Sequence, residues 1–306
     1  MSAGLGIMIE GQEGLTWDRW RRICGIADAR GFDSLWRSDH FFSVLGVEGR
    51  DCIETWVSLA LAAEWTRRIE FGPLVSSMTF RQPELLARMA ASVDQLGGGR
   101  LVLGVGAGWY EEEHRRFSIP FPSTRERMDN LEDCIRRIRE TWTRALPPPA
   151  RDPAPLLIGG SGERRTLRLV AEHADEWNCY GLSPEVYAEK ARVLENHCLE
   201  VGRESDSIKR SLMMAYLVGR SRSDLEARAA EMSRFNPQFA GMSPAEVLKK
   251  AAERWLVGSP DQIVQRLREY VKLGVSRFML QHYLMDDDDA LQILAEDVVP
   301  QLASEA

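Results

Sequence analysis

The chain of 306 residues is poor in the features that mark several protein classes. It has five cysteines, Cys24, Cys52, Cys134, Cys179 and Cys198. The number is odd and no two stand as CxxC, which speaks against a disulfide framework and a cysteine-rich zinc site. Free thiols fit a reducing compartment, so the sequence reads as cytoplasmic. No run of about 18 apolar residues occurs, and no membrane span is expected. The opening MSAGLGIMIEGQEG has no basic stretch followed by a long apolar core, so it does not read as a secretion signal. Positive charge is not in excess: 39 Lys and Arg face 46 Asp and Glu, for a formal net charge of -7. That balance argues against a nucleic-acid partner, which requires a basic face. No histidine pair has metal-ligand spacing with a carboxylate, so no metal is expected. A G-x-S-x-G elbow is missing and Cys179 has no evident base, which leaves serine and cysteine nucleophiles without support.

What the chain does hold is one repeated unit. A short apolar run is followed by a stretch with helical spacing, then by a glycine or polar break. Residues 5–9 (LGIMI) begin it, and 16–30 follow with Thr16 as N-cap and Trp17, Trp20, Ile23, Cys24 and Ala27 at helical intervals. Further strands are expected near 35–36, 69–75, 101–105, 155–159, 176–180, 209–219 and 278–281. Helical patterns follow at 54–66, 83–97, 123–141, 163–173, 183–201, 223–235, 261–273 and 287–299. Apolar strands alternating with helices imply a parallel sheet covered by helices. Eight such units over this length predict an α/β fold, a closed (β/α)8 TIM barrel, in a single domain over 1–306. The competing fold is an open Rossmann-type sheet. GVGAGW at 104–109 has G-x-G-x-G spacing after the fourth strand, which does not match the dinucleotide fingerprint. Proline-rich residues 144–155 are an extended connection, and 235–247 an insertion or lid, with its surroundings to about 250.

In such barrels the chemistry sits on the loops after the strands. Asp39-His40 follows the second strand and offers an imidazole able to take or give a proton near neutral pH, or simply a cap and a satisfied histidine. Hydroxyl residues from Ser76 onward follow the third strand and suit a planar ligand edge or an ordinary loop. After the fourth, Gly104, Gly106 and Gly108 clear space either for a flat ligand or for a tight barrel corner, and Trp109-Tyr110 add aromatic surface. Gly159-Gly160-Ser161-Gly162 precedes a helical pattern and would aim backbone N–H groups at an anion. His282, at the end of the last strand, is a further pocket candidate.

Taken together, GFDSLWRSDHF, FGPLVSSMTFRQPELLARMAASVDQLGGGRLVLGVGAGWYEEEHRRFSIPFPSTRERM, PLLIGGSGERRTLRLVAEHADEWN and VGSPDQIVQRLREYVKLGVSRFMLQ resemble the luciferase-like monooxygenase superfamily, most closely its deazaflavin (F420) branch. The resemblance implies a luciferase-like barrel with insertions, usually dimeric. It implies coenzyme F420 at the strand ends, with FMN as the alternative, and hydride transfer to or from a small organic substrate. An FMN-dependent monooxygenase supplied by a flavin or F420 reductase is the second reading, and a non-catalytic ligand-binding barrel the third. By position, Asp39 and His40 would lie beside the cofactor ring as catalytic residues, with Leu74, Val75 and Ser76 behind it. Leu74-Val75 matches a non-proline cis peptide of the family. Ala107, Gly108 and Trp109 would line the ring, and Gly159, Gly160, Ser161 and Gly162 the phosphate. Trp109 stands where the sugar-phosphate dehydrogenases of this branch carry a catalytic glutamate. An apolar or aromatic substrate therefore fits better than a sugar phosphate.

Overall fold

Each expected apolar run becomes a strand, and the helices between them bury apolar residues in a shared core. In this computed structural model, which describes residues 2–303, the chain runs β1 (Gly4–Ile9), α1 (Trp17–Ala29), β2 (Ser34–Arg37), α2 (Thr55–Trp65), β3 (Glu70–Pro73), β4 (Ser76–Ser77), α3 (Pro83–Leu96) and β5 (Leu103–Gly106). It continues through α4 (Glu111–Arg116), α5 (Thr124–Trp142), β6 (Leu156–Gly159), α6 (Thr166–His173), β7 (Glu176–Tyr180), α7 (Pro184–Glu200) and β8 (Lys209–Val218). Then come α8 (Arg222–Phe235), α9 (Pro244–Ala251), β9 (Leu256–Gly258), α10 (Pro260–Val271) and β10 (Arg277–Gln281). The chain closes with α11 (Asp288–Ile293), a π-helical turn and α12 (Val299–Ala303). The helix starts follow local chemistry: Thr16 caps α1 by accepting from Arg19 N at 3.3 Å, and Ser123 and Glu126 form a capping box on α5.

The strands pair in parallel in the order β3-β2-β1-β10-β8-β7-β6-β5-β4. β3 and β4 are two halves of one strand, interrupted at Leu74-Val75. The ring closes where Phe71 accepts from Val102 N at 2.9 Å and donates to Arg100 O at 3.1 Å. The result is the (β/α)8 barrel rather than the open Rossmann-type sheet. Inside it lie Met8, Trp36, Leu74, Val102, Leu157 and Met279; a larger apolar layer sits between strands and helices. Because every strand runs the same way, all the loops that follow the strands meet at one rim.

Three elements lie outside the expected pattern: α4, α9 and β9. β9 pairs with the far end of β8, Tyr216 to Val218, so β8 reaches beyond the ring. α8, α9 and β9 enclose a second small core with Met232, Phe239, Val247 and Leu248. The 235–250 stretch is thus folded around apolar anchors of its own. Among the described residues no helix is long and apolar enough to cross a membrane.

Candidate functional site

His40 leaves the rim just after β2. Its Nδ1 lies 2.7 Å from Oε2 of Glu113, and the other oxygen of that carboxylate accepts from Phe41 N at 2.6 Å. Glu113 comes from α4 and is fully buried. Trp109 and Tyr110 stand edge-on to the imidazole, with ring centroids 5.7 and 6.3 Å away. Burial alone would push the His40 pKa down. The hydrogen bond and charge of Glu113, with the fields of Glu10 and Asp39, outweigh it, and the pKa lies above the ordinary 6.5.

Asp39 is buried and fully engaged. Arg81 grips it through two nitrogens at 2.5 and 3.1 Å, and Ser76 Oγ donates to it at 2.7 Å. Ser76 in turn accepts from Trp56 Nε1 at 3.2 Å. Of the two expected catalytic side chains, Asp39 therefore fixes the rim, while His40 keeps a ring nitrogen without a protein partner among the described residues.

The Leu74–Val75 peptide is cis, and its surroundings explain the alternating glycines. A Cβ on Gly106 would come 2.7 Å from a Val75 methyl; on Gly159, 3.0 Å; on Gly104, 3.1 Å, as well as colliding with Pro73 O. Gly104, Gly106 and Gly159 thus form the bed for the Val75 side chain, across β5 and β6. Gly159 belongs to that bed rather than to the turn that follows. Gly108 has φ +81°, and a Cβ there would collide with Ser77 Oγ and lie 2.9 Å from Thr79 Oγ1. Only a glycine fits both conditions. Ala107 packs against the main core, and Trp109 is 65% exposed at the rim.

Gly160, with φ +129°, turns the chain out of β6, and Ser161 and Gly162 continue at the surface. The helix does not follow at once: a turn at 163–165 intervenes and α6 begins at Thr166. Gly159–Gly162 and His40 lie on the same rim, since both follow parallel strands. His282 follows β10 but is turned inward rather than open at the rim. It is buried against Tyr216, whose hydroxyl lies 2.6 Å from its Nδ1, and burial lowers its pKa to about 4. It faces a small cavity beside Met232 and Arg228. No cluster of three or more His, Cys, Asp and Glu able to hold a metal occurs among the described residues.

Sequence reasoning missed Glu113 and Arg81, the two residues that tie the Asp39-His40 pair in place. It also missed Glu13, which anchors the 43–50 loop through Ser43, Val44 N, Leu45 N and Arg50. Nothing in the spacing of the Glu111-Glu112-Glu113 run marks which acid turns inward.

Fold and rim together define an α/β-barrel protein whose loops after the strands gather at one rim. The chain belongs to the luciferase-like monooxygenase family, whose sequence model matches residues 5–277. Among its relatives, the F420-dependent glucose-6-phosphate dehydrogenase of Amycolatopsis mediterranei (strain U-32) is 26% identical, with 90% of this chain and 92% of the relative covered. The enzyme of the same description from Nakamurella multipartita is 27% identical, with 90% of each covered. Among solved structures, an F420-dependent secondary alcohol dehydrogenase in complex with an F420-acetone adduct superposes with a TM-score of 0.83 at 19% identity, over 99% of both chains. A monooxygenase from Streptomyces bottropensis superposes with a TM-score of 0.80 at 17% identity, over 98% of this chain and 100% of that one.

Proposed function

We propose that this protein is an oxidoreductase that uses coenzyme F420 for hydride transfer to or from a small organic substrate. The observation that carries the reading is the meeting, on one rim, of the Val75 bulge bedded on three glycines and a histidine anchored by a buried acid. The F420-dependent relatives, aligned over 90% of the chain, support the choice of cofactor.

The residues present fit such a group. The glycines of β5 and β6 let the 74–76 backbone stand as a side-chain-poor wall for a planar ring. Leu74, Val75 and Ser76 form that wall, and Ala107, Gly108 and Trp109 border it. Asp39 holds the loop through Arg81, and His40 gives or takes the proton that accompanies hydride transfer. Gly160, Ser161 and Gly162 offer a turn without bulky side chains for the phosphate, with Gly159 beneath. F420, when bound, supplies a two-electron hydride carrier.

The substrate is read as apolar or aromatic. Trp109 beside His40, together with Tyr110, Phe42 and Phe117, makes an aromatic border at the site. Residues 1–306 are read as one domain, with the 235–250 insertion at the edge of the mouth, where Arg50 stacks on Phe235 at 4.1 Å. A cytoplasmic homodimer completes the reading. Val57, Leu85 and Leu96, all more than half exposed on the neighbouring α2 and α3, support the dimer.

Titration of the purified protein with F420 and with FMN, followed by fluorescence quenching, tests the cofactor. The expected result is saturable F420 binding that Ser161→Asp abolishes without loss of fold, because the change puts a carboxylate at the anion turn. Tight FMN binding without F420 binding would instead indicate the monooxygenase fed by a partner reductase. Binding of neither would favour a non-catalytic barrel.

A further inference from the structure

The buried carboxylate behind His40 has a consequence for which atom of the imidazole bears the proton. We propose that Glu113 is a positioning residue that fixes His40 with Nδ1–H turned to α4 and Nε2 turned to the mouth.

Glu113 is placed to impose this, because both its oxygens are engaged. Oε1 takes the Phe41 amide at 2.6 Å, and Oε2 lies 2.7 Å from His40 Nδ1. A carboxylate cannot donate, so Nδ1 must carry the hydrogen. In neutral His40 the free lone pair then sits on Nε2; in the protonated ring Nε2 carries the mobile proton. The charged groups around the ring act in the same sense. Glu113 reaches it from α4, Glu10 from the end of β1 and Asp39 from its own loop, with Asp39 largely neutralised by Arg81. The same carboxylate ties both the ring and the backbone of the loop after β2 to α4.

The inference rests on the reading of His40 as the proton-carrying residue, yet its test does not need the cofactor. Glu113→Gln keeps the shape and removes the charge. The Phe41 N–H can only face the amide oxygen, so the amide NH2 is forced towards Nδ1 of His40. That reverses the tautomer, leaving neutral His40 with Nε2–H.

The experiment is 15N NMR titration of histidine-labelled, full-length protein without cofactor, with the His40 signals assigned by His40→Gln. In the wild type, neutral His40 should show Nδ1–H. In Glu113→Gln it should show Nε2–H, with a pKa below that of the wild type. Glu113→Asp should restore the Nδ1–H form. An Nε2–H tautomer in the wild type, or unchanged nitrogen shifts and pKa in a folded Glu113→Gln, would overturn the proposal. If Glu113→Gln fails to fold, the wild-type tautomer alone decides. Failure of F420 to bind would sink the functional reading and leave this result intact. F420-dependent turnover with unmoved His40 signals would do the reverse.

Discussion

At the scale of single residues, the site divides labour between two neighbours that look alike in the sequence. Asp39 is consumed by Arg81 and Ser76, whereas His40 keeps one ring nitrogen without a protein partner among the described residues. His40→Ala should leave F420 binding within about tenfold of wild type and cut turnover by about 100-fold or more, as for a lost general acid or base. Steady-state kinetics beside a binding titration check this; equal losses in both would assign His40 to binding alone. The raised pKa also carries a sign for pH. His40 adds stability that is complete below its unfolded pKa of 6.5 and fades as pH rises through the higher folded value. Asp39-His40 was legible as a pair because it follows a strand. Glu113 was not, since it is one of three consecutive glutamates in a short charged helix, and only packing shows that it faces inward.

At the scale of elements, the third strand and its glycine neighbours form one unit. Val75 occupies room that side chains at 104, 106 and 159 would otherwise fill. The contacts rank the substitutions. An alanine methyl at 106 meets a Val75 methyl at 2.7 Å, which can yield; at 104 it also meets the carbonyl of Pro73, which is fixed in the sheet. Gly104→Ala should therefore destabilise by more than Gly106→Ala, with overpacking of this kind costing about 1–3 kcal/mol. Urea denaturation of the two variants would show the order, and equal midpoints would contradict it. The alternation of glycines could be read from the sequence, but the bed they form could not, because it lies across two strands and a broken third. β9 and α9 escaped for a simpler reason. The three residues of β9 carry too little periodicity, and α9 was read as part of the 235–250 insertion although Ser243 and Glu246 form a capping box that marks its start.

At the scale of the whole molecule, the eightfold alternation of apolar runs and helical patterns was enough to predict the barrel, since local periodicity and the parallel-sheet rule agree throughout. The polar plug at its other end was not visible, because its members are far apart in the chain. Arg277 on β10 pairs with Glu176 at 2.9 Å, Asp33 at 2.6 Å, and Glu70. Burial would raise the Glu70 pKa, but Arg277, followed by Lys209 and Arg151, brings it down from 4.5 to about 2. Its contribution to stability is therefore complete above the unfolded pKa and is lost as pH falls from about 4.5 towards 2. Arg277→Met should cost about 3–5 kcal/mol near neutral pH by leaving Glu176 buried without its cation. It should also flatten the acid limb of a stability-against-pH curve. A loss below about 1 kcal/mol in chemical denaturation would show the plug to be dispensable.

The central claim is that the rim carrying His40, Val75 and the Gly160 turn holds F420. The most direct measurement is a crystal structure of the protein with F420 bound. The account predicts the ring against the 74–76 backbone within reach of His40 Nε2, and the phosphate at the amides of residues 160–162. A ring seated away from Val75, or a phosphate bound at another loop, would contradict it.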